Sequence, residues 1–158
     1  MIEKYINVYE ENKQLDEIFI KKYNHDELVK KNKLELFVEI GELANETRCF
    51  KYWSKKEINY ELVGYELADT IIMTLCFFNY LDIDINDIEI IKDNKNNLDL
   101  FFEIYDLVNI FVKTEDKILI QKIFVLLINM GYNLGFTDND IVNFCLNKIN
   151  KDKERLDK

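Results

Sequence analysis

The sequence contains no proline, only four glycines and a single histidine, His25, among its 158 residues. Because proline and glycine most often interrupt helices and form tight turns, their scarcity argues against an all-β sandwich or barrel. A lone histidine also excludes a histidine-based catalytic triad and a histidine zinc site. The composition therefore predicts an all-α fold built from long helices.

Basic residues are also scarce: 21 Lys and Arg stand against 30 Asp and Glu, which gives a formal net charge of −9. A surface this acidic repels nucleic-acid polymers and anionic membranes unless metal ions intervene. Hydrophobic residues make up 48% of the chain and charged residues 32%. This is enough apolar material for one core but too little length for two ordinary domains, so a single domain over residues 1–158 is expected.

The cysteines and the N-terminus predict the compartment. Cys49, Cys76 and Cys145 are odd in number and form no CxxC pattern, so neither a disulfide framework nor a structural zinc is expected. The N-terminal residues include acidic side chains where a signal peptide needs an apolar core. The chain is therefore expected to be soluble and cytoplasmic, with no membrane partner.

Apolar side chains recur every three to four residues along most of the chain, which predicts six amphipathic helices. Asn24, Gly135 and Thr137 suit helix ends, and 82–97 is expected to be a loop that can hold a helical turn. Residues 71–81 and 118–128 are so apolar that a second copy of the chain is expected to cover them, as a homodimer. The predicted helices span about 2–23, 27–48, 57–81, 98–113, 115–134 and 138–155.

An acidic stripe marks the second predicted helix. Glu35, Glu39, Glu42 and Glu46 are spaced by four, three and four residues, which places them on one face of a helix. Such stripes are usually solvated, and a generic ExxE has no special chemistry. Gly41, a poor helix former inside the stripe, suggests instead that a partner backbone or a ligand approaches closely.

The third predicted helix repeats the acidic spacing with Glu66 and Asp69. These carboxylates interrupt an otherwise apolar helix, where burying them without compensation is costly. If the second and third helices pack antiparallel, carboxylates from both converge on one point and form a site for a hard divalent cation such as Mg²⁺.

The same residues carry a family resemblance. ELFVEIGELANETRCFKYW (35–53) followed by YELADTI (65–71) resembles the ExxE…ExxD signature of the MazG-like and all-α nucleoside triphosphate pyrophosphatase superfamily. NETRCFKYW is similar, more narrowly, to the all-α dimeric dUTPases. KQLDEIF (13–19) and LGFTDNDIVNFCLNK (134–148) are similar in spacing to other family segments, so the resemblance spans nearly the whole chain.

The resemblance implies hydrolysis of dUTP to dUMP and pyrophosphate by a homodimer. Glu39, Glu42, Glu66 and Asp69 match the family's Mg²⁺-binding carboxylates, and Mn²⁺ is a plausible substitute. Bound Mg²⁺ reverses the local charge, holds the phosphates and lowers the pKa of an attacking water. Either Glu46 or Glu39 then takes the proton of that water.

Other matches suggest the rest of the nucleotide pocket. Lys51 matches a basic residue of the family and can meet a phosphate, while Phe50 and Trp53 can wall a planar base. Asn45 can hydrogen-bond a sugar or a metal-bound water.

The base is expected to meet an amide near the N-terminus. The family places an amide that reads uracil where either Asn12 or Gln14 falls in this chain.

The C-terminal segment both matches the family and departs from it. Lys148 and Arg155 match basic positions suited to phosphate contact. Ile149 and Asp152 stand where the family has Asn, and Leu156 replaces a Gln. Two other functions therefore stay open: a MazG-like pyrophosphatase with another or broader nucleotide preference, and a catalytically silent helical interaction protein.

Overall fold

The computed structural model describes residues 1–156, and over this range the chain is an all-α bundle with no strand, as the composition predicts. The loop 82–97 contains one 3₁₀ turn, Ile85–Asp87, and another 3₁₀ turn, Ile2–Tyr5, precedes the first helix. Each helix begins and ends within a few residues of its predicted bounds. The six helices are α1 Ile6–Lys22, α2 His25–Thr47, α3 Tyr60–Tyr80, α4 Asn97–Thr114, α5 Lys117–Asn133 and α6 Asp138–Leu156.

Short polar side chains define the helix ends. The Asn24 side chain caps α2 by accepting a hydrogen bond from the Glu27 N–H at 3.1 Å. Thr137 and Asp140 form a reciprocal capping box at the start of α6, with backbone to side-chain distances of 3.1 and 2.8 Å. Gly135 has a φ of +90°, a conformation that glycine adopts without strain after the end of α5.

Helix α3 is the central element and packs against α1, α2, α5 and α6. Every residue from Ile71 to Phe78 is buried, and most of Ile120–Ile128 is buried as well. One chain therefore buries most of the two apolar stretches, although Ile118 is 72% exposed, and the dimer stays a prediction. No single helix among the described residues is long and apolar enough to cross a membrane. Helices α5 and α6 meet the criterion of length and composition only when taken together, and they are bent by 113° to each other.

Helices α2 and α3 pack against each other and place the acidic residues. The Thr70 hydroxyl on α3 lies 3.3 Å from the Glu39 carbonyl oxygen on α2 and 2.9 Å from the Glu66 carbonyl oxygen on its own helix. Behind α2, a Cβ atom on Gly41 would lie 3.3 Å from the Tyr105 hydroxyl of α4. The neighbour that approaches Gly41 from α4 is therefore a side chain, that of the half-buried Tyr105.

Candidate active site

Three carboxylates converge between α2 and α3. Glu39, Glu42 and Glu66 each offer one oxygen, and these three oxygens lie within 4.8 Å of one another. Glu39 and Glu42 share a face because they are three residues apart on a helix, and α3 brings Glu66 to the same point. We call this group the carboxylate trio, and its oxygens are the ligands that hard divalent cations prefer.

The trio carries unsatisfied charge. Glu39 Oε2 and Glu66 Oε2 are buried and have no hydrogen-bond partner among the described residues. Burial, together with the charges of Asp69 and Glu42, raises the pKa of Glu39 to about 8. Burial likewise raises the pKa of Glu66 to about 7, with Asp69 and Glu42 contributing. The arrangement disfavours three ionised carboxylates unless a cation lies between them.

Asp69 lies beside the trio, held by a cation of the chain. Lys148 Nζ on α6 is 3.3 Å from Asp69 Oδ1 and 3.8 Å from Asp152 Oδ1, and Asp152 is in turn 3.6 Å from Arg155 Nη1. Burial raises the pKa of Asp69, and Lys148 acts against that rise. Two basic residues matched to phosphate contact, Lys148 and Arg155, are thus joined to the acidic site through a line of ion pairs.

A cavity of 480 Å³ opens between α1, α2, α3 and the end of α6. Its walls are largely apolar, but they also include Asn12, Asp16 and Arg155. Asn12 is 1% exposed; its Nδ2 lies 3.4 Å from both Asp16 Oδ2 and the Ile72 carbonyl oxygen, and its Oδ1 has no partner. We call this space the Asn12 cavity.

The Asn12 cavity adjoins the carboxylates on two sides. Glu35 lines it and lies one helical turn before Glu39, whose pKa the charge of Glu35 raises. Asp152 also lines it and shares Lys148 with Asp69. The cavity and the carboxylates are therefore linked through Glu35 on α2 and through Lys148 on α6.

A second, smaller cavity of 290 Å³ lies at the C-terminal end of α2. It brings together three residues expected at the site, Asn45, Glu46 and Lys51, with the additional cations Arg48 and Lys56. Glu46 in this Lys51 cavity is close enough to Glu66 for its charge to raise the pKa of Glu66.

Some expected contacts do not form. Gln14 is exposed and, unlike Asn12, does not line the Asn12 cavity. Phe50 and Trp53 are 43% and 64% exposed and stack edge to face on each other at 5.9 Å, away from both cavities. These two rings line neither cavity, and their role against a base stays a prediction. Cys49, next to Phe50 in the sequence, is exposed.

The C-terminal departures from the family fall into two groups. Ile149 is fully buried and belongs to the core, so it cannot contact a ligand. Asp152 and Leu156 line the Asn12 cavity and change its chemistry directly.

Sequence reasoning missed three polar residues of these cavities. Asp16 is buried in a wall of the Asn12 cavity, where burial raises its pKa to about 7 and the Cys76 thiol donates to it at 3.0 Å. Arg48 ends α2 with a left-handed φ of 59° and has a buried Nε without a partner. Glu35 appeared only as part of the stripe. The sequence signal that could have found Asp16 was its place as an aspartate on the otherwise apolar face of the first helix.

The fold and this geometry define an all-α helical bundle with a carboxylate centre that can hold a metal ion. A sequence model of the dUTPase family matches residues 4–158, and the chain belongs to this family of all-α dUTPases. Membership implies a nucleotide pyrophosphohydrolase acting on a nucleoside triphosphate. The comparison with curated proteins gives no match.

Proposed function

We propose that the protein hydrolyses dUTP to dUMP and pyrophosphate in a reaction that depends on Mg²⁺. The observation that carries the proposal is the carboxylate trio next to a cavity that is lined by Glu35, one helical turn before Glu39, and by the buried amide of Asn12. Family membership supports the same reaction.

The residues present suit a divalent cation. The donor set is all carboxylate, and two of its buried oxygens have no partner that would compete with an ion. Glu39, Glu42 and Glu66 would hold Mg²⁺, or Mn²⁺ in its place, with Asp69 as a further ligand once it leaves Lys148. When bound, the ion would neutralise phosphate charge and lower the pKa of a water.

Asn12 is proposed to read the base. Uracil presents a donor, its N3–H, beside the acceptor O4, and a carboxamide presents the complementary acceptor and donor. Asn12 Oδ1 is buried and unpartnered, and the contacts of its Nδ2 are all long, at 3.4 Å or more. Uracil would form hydrogen bonds with both atoms. Such hydrogen bonds add most to the binding free energy where a buried group would otherwise stay unpaired.

The phosphates are proposed to lie toward the cations that flank the trio. Lys51, Arg48 and Lys56 line one flank, and Arg48 has an unpartnered buried Nε. Lys148 and Arg155 lie on the other flank through their pairs with Asp69 and Asp152. Asn45 is placed to hydrogen-bond a phosphate oxygen or a water in the Lys51 cavity.

In the proposed reaction a water oxygen attacks the α-phosphorus, and the bond from this phosphorus to the α–β bridging oxygen breaks. Pyrophosphate leaves with that oxygen and its electron pair, and dUMP keeps the new oxygen. Glu46, outside the trio but close enough to raise the pKa of Glu66, accepts the proton of the water. Glu39 is less suited to this role because a carboxylate that ligates a cation holds a proton poorly.

A second candidate is a broader nucleotide preference of the MazG-like kind. Leu156 and Asp152 line the Asn12 cavity where the family has amides, so fewer neutral polar groups face the base. A site that relies on one amide discriminates less sharply than one with several.

The test is pyrophosphate release from dUTP, dTTP, dCTP, dATP and dGTP, with Mg²⁺ and with a chelator. We expect release from dUTP with Mg²⁺ only, and a loss of selectivity in Asn12→Ala. The control is Asn7→Ala, which removes an exposed amide from the same helix. Release from several nucleotides at similar rates would favour the broader preference. No release from any of them would favour a silent helical interaction protein.

We propose further that the chain is one domain and forms a cytoplasmic homodimer. Leu34 and Val38 on α2 and Phe102 on α4 are 69%, 49% and 66% exposed, and exposed apolar side chains of this size favour an interface. Sedimentation should give twice the 19.0 kDa mass of the chain. A monomer at micromolar concentration would contradict the proposed dimer.

A further inference from the structure

Glu35 has a defined place between the Asn12 cavity and the carboxylate trio, but it is neither the buried amide nor one of the metal ligands. It lines the Asn12 cavity from α2, one turn before Glu39. Its charge raises the pKa of Glu39 on one side and the pKa of Cys76, in the cavity wall, on the other. Glu35 therefore lies between the wall of the cavity and Glu39 of the trio.

A relay of two hydrogen bonds holds the Glu35 carboxylate. The Tyr80 hydroxyl donates to Asn32 Oδ1 at 2.6 Å, and Asn32 Nδ2 donates to Glu35 Oε2 at 2.9 Å. Asn32 is 8% exposed, and burial raises the pKa of Tyr80 far above its ordinary value, so the phenol keeps its proton and donates. The relay orients the carboxylate through Oε2 and leaves Oε1 as an acceptor.

A nucleotide has a fixed order of parts, with the sugar between the base and the phosphates. With the base at Asn12 and the phosphates at the trio, the sugar passes Glu35. The 3′-hydroxyl is the only hydroxyl on the sugar of a deoxynucleoside triphosphate. A hydroxyl that donates to an oriented carboxylate makes a strong, charge-assisted hydrogen bond.

We propose that Glu35 is a specificity residue that accepts a hydrogen bond from the 3′-hydroxyl of the nucleotide. Asn32 and Tyr80 are its positioning residues. The inference rests on the proposed function, because it takes the direction of the nucleotide from the assignment of the base to Asn12.

The test compares kcat/KM for dUTP and for 2′,3′-dideoxyuridine triphosphate, which lacks only the 3′-hydroxyl. The wild-type protein should prefer dUTP by about tenfold to a hundredfold, the range expected for one hydrogen bond to a charged group. Glu35→Ala should bring the two substrates within about twofold by slowing dUTP, and Glu35→Gln, which keeps a neutral acceptor, should lie between. Glu27→Ala is the matched control, because Glu27 is exposed on the same helix and pairs only with Lys31 there.

The positioning role is tested with Tyr80→Phe. Losing the hydroxyl should reduce the preference for dUTP over its dideoxy analogue part of the way, because Asn32 then holds Glu35 less firmly. A purely structural role would slow both substrates equally and leave the preference unchanged, which would overturn the relay.

The outcomes separate this inference from the proposed function. If the wild-type protein hydrolyses neither substrate, the proposed function fails and the inference with it. If it hydrolyses both equally, or if Glu35→Ala keeps the wild-type preference, only the role of Glu35 fails. Mn²⁺ titration followed by electron paramagnetic resonance supplies the last check: weaker Mn²⁺ binding by Glu35→Ala without nucleotide would make Glu35 a metal ligand and overturn the inference.

Discussion

Two polar regions of this bundle differ in how completely their buried atoms are hydrogen-bonded. Asn129 on α5 uses its whole side chain: Nδ2 donates to the carbonyl oxygens of Ile91 and Val125 at 2.8 and 3.0 Å, and Oδ1 accepts from the Asp93 N–H at 2.8 Å. Asp138 likewise accepts from Tyr5 and Tyr132. These residues fasten a loop and the start of α6 to the core.

The carboxylate trio is the opposite case. Glu39 and Glu66 keep a buried oxygen without a partner, and burial together with neighbouring charge raises the pKa of both. Native proteins pair nearly all buried polar atoms, so two unpaired carboxylate oxygens in one cluster indicate a place for a ligand. The comparison teaches that the structural and the functional polar groups of this protein are told apart by their missing partners.

The largest effect is expected from breaking the functional region. Glu42→Gln should lower pyrophosphate release by at least about a hundredfold, because a neutral amide is a poor ligand for Mg²⁺. Stability without metal should stay equal or rise, since one of the repelling charges is gone. Steady-state kinetics and urea denaturation measure both effects, with Glu61→Gln as an exposed control. A large loss of stability would instead identify Glu42 as a structural partner of a basic group.

Removing the hydrogen bonds of Asn129 should have the reverse effect, a loss of stability with activity retained. Asn129→Ala should destabilise the fold by about 3 to 5 kcal/mol, because three hydrogen bonds are lost and buried backbone groups are left unpaired. Activity at low temperature should persist. Urea denaturation measures the cost, and Asn109→Ala, an exposed amide on α4, should change stability little. An unaffected Asn129→Ala protein would show that water can replace the side chain.

Adding metal should sharpen the comparison. Mg²⁺ at 100 times its dissociation constant should stabilise the wild-type fold by about 2.7 kcal/mol through mass action. The melting temperature should rise with Mg²⁺ in the wild-type and Asn129→Ala proteins alike, and much less in Glu42→Gln. Scanning calorimetry checks this, and a rise of equal size in Glu42→Gln would place the ion elsewhere.

The last expected effect is on the pH dependence of stability. The pKa of Glu39 is about 8 in the folded protein, against an ordinary value of 4.5, so the folded state holds its proton to higher pH than the unfolded state. Below pH 4.5 Glu39 is protonated in both states, so the shift does not change the free energy of unfolding. Without metal, this free energy should fall as the pH rises from 4.5 to about 8. Denaturation at several pH values should show that the free energy of unfolding changes less steeply with pH in Glu39→Gln than in the wild-type protein. A residual slope should remain, because burial also raises the pKa of Asp16, to about 7. A slope as steep as wild type in Glu39→Gln would contradict the assignment.

Much of the fold was predictable because it depends on local order. The absence of proline, the three-to-four spacing of apolar residues and the capping residues Asn24 and Thr137 act within one turn of chain. The spacing of Glu39 and Glu42, and the apolar surroundings of Glu66, likewise predicted that carboxylates would meet between two helices. The trio confirms that convergence, while the role of each carboxylate stays a prediction.

Tertiary structure decided what local spacing cannot express. It buried Asn12 and left Gln14 exposed, because the rotation of α1 against α3 determines which face is covered. It paired Asp69 with Lys148, 79 positions further along the chain, and it placed Phe50 and Trp53 in a loop outside the cavities, where no helical period constrains them. By itself the sequence determined which side chains share a helix face, since that follows from backbone geometry. Which faces meet was decided by packing across the whole chain, because contacts between distant segments depend on how all the helices fill one core.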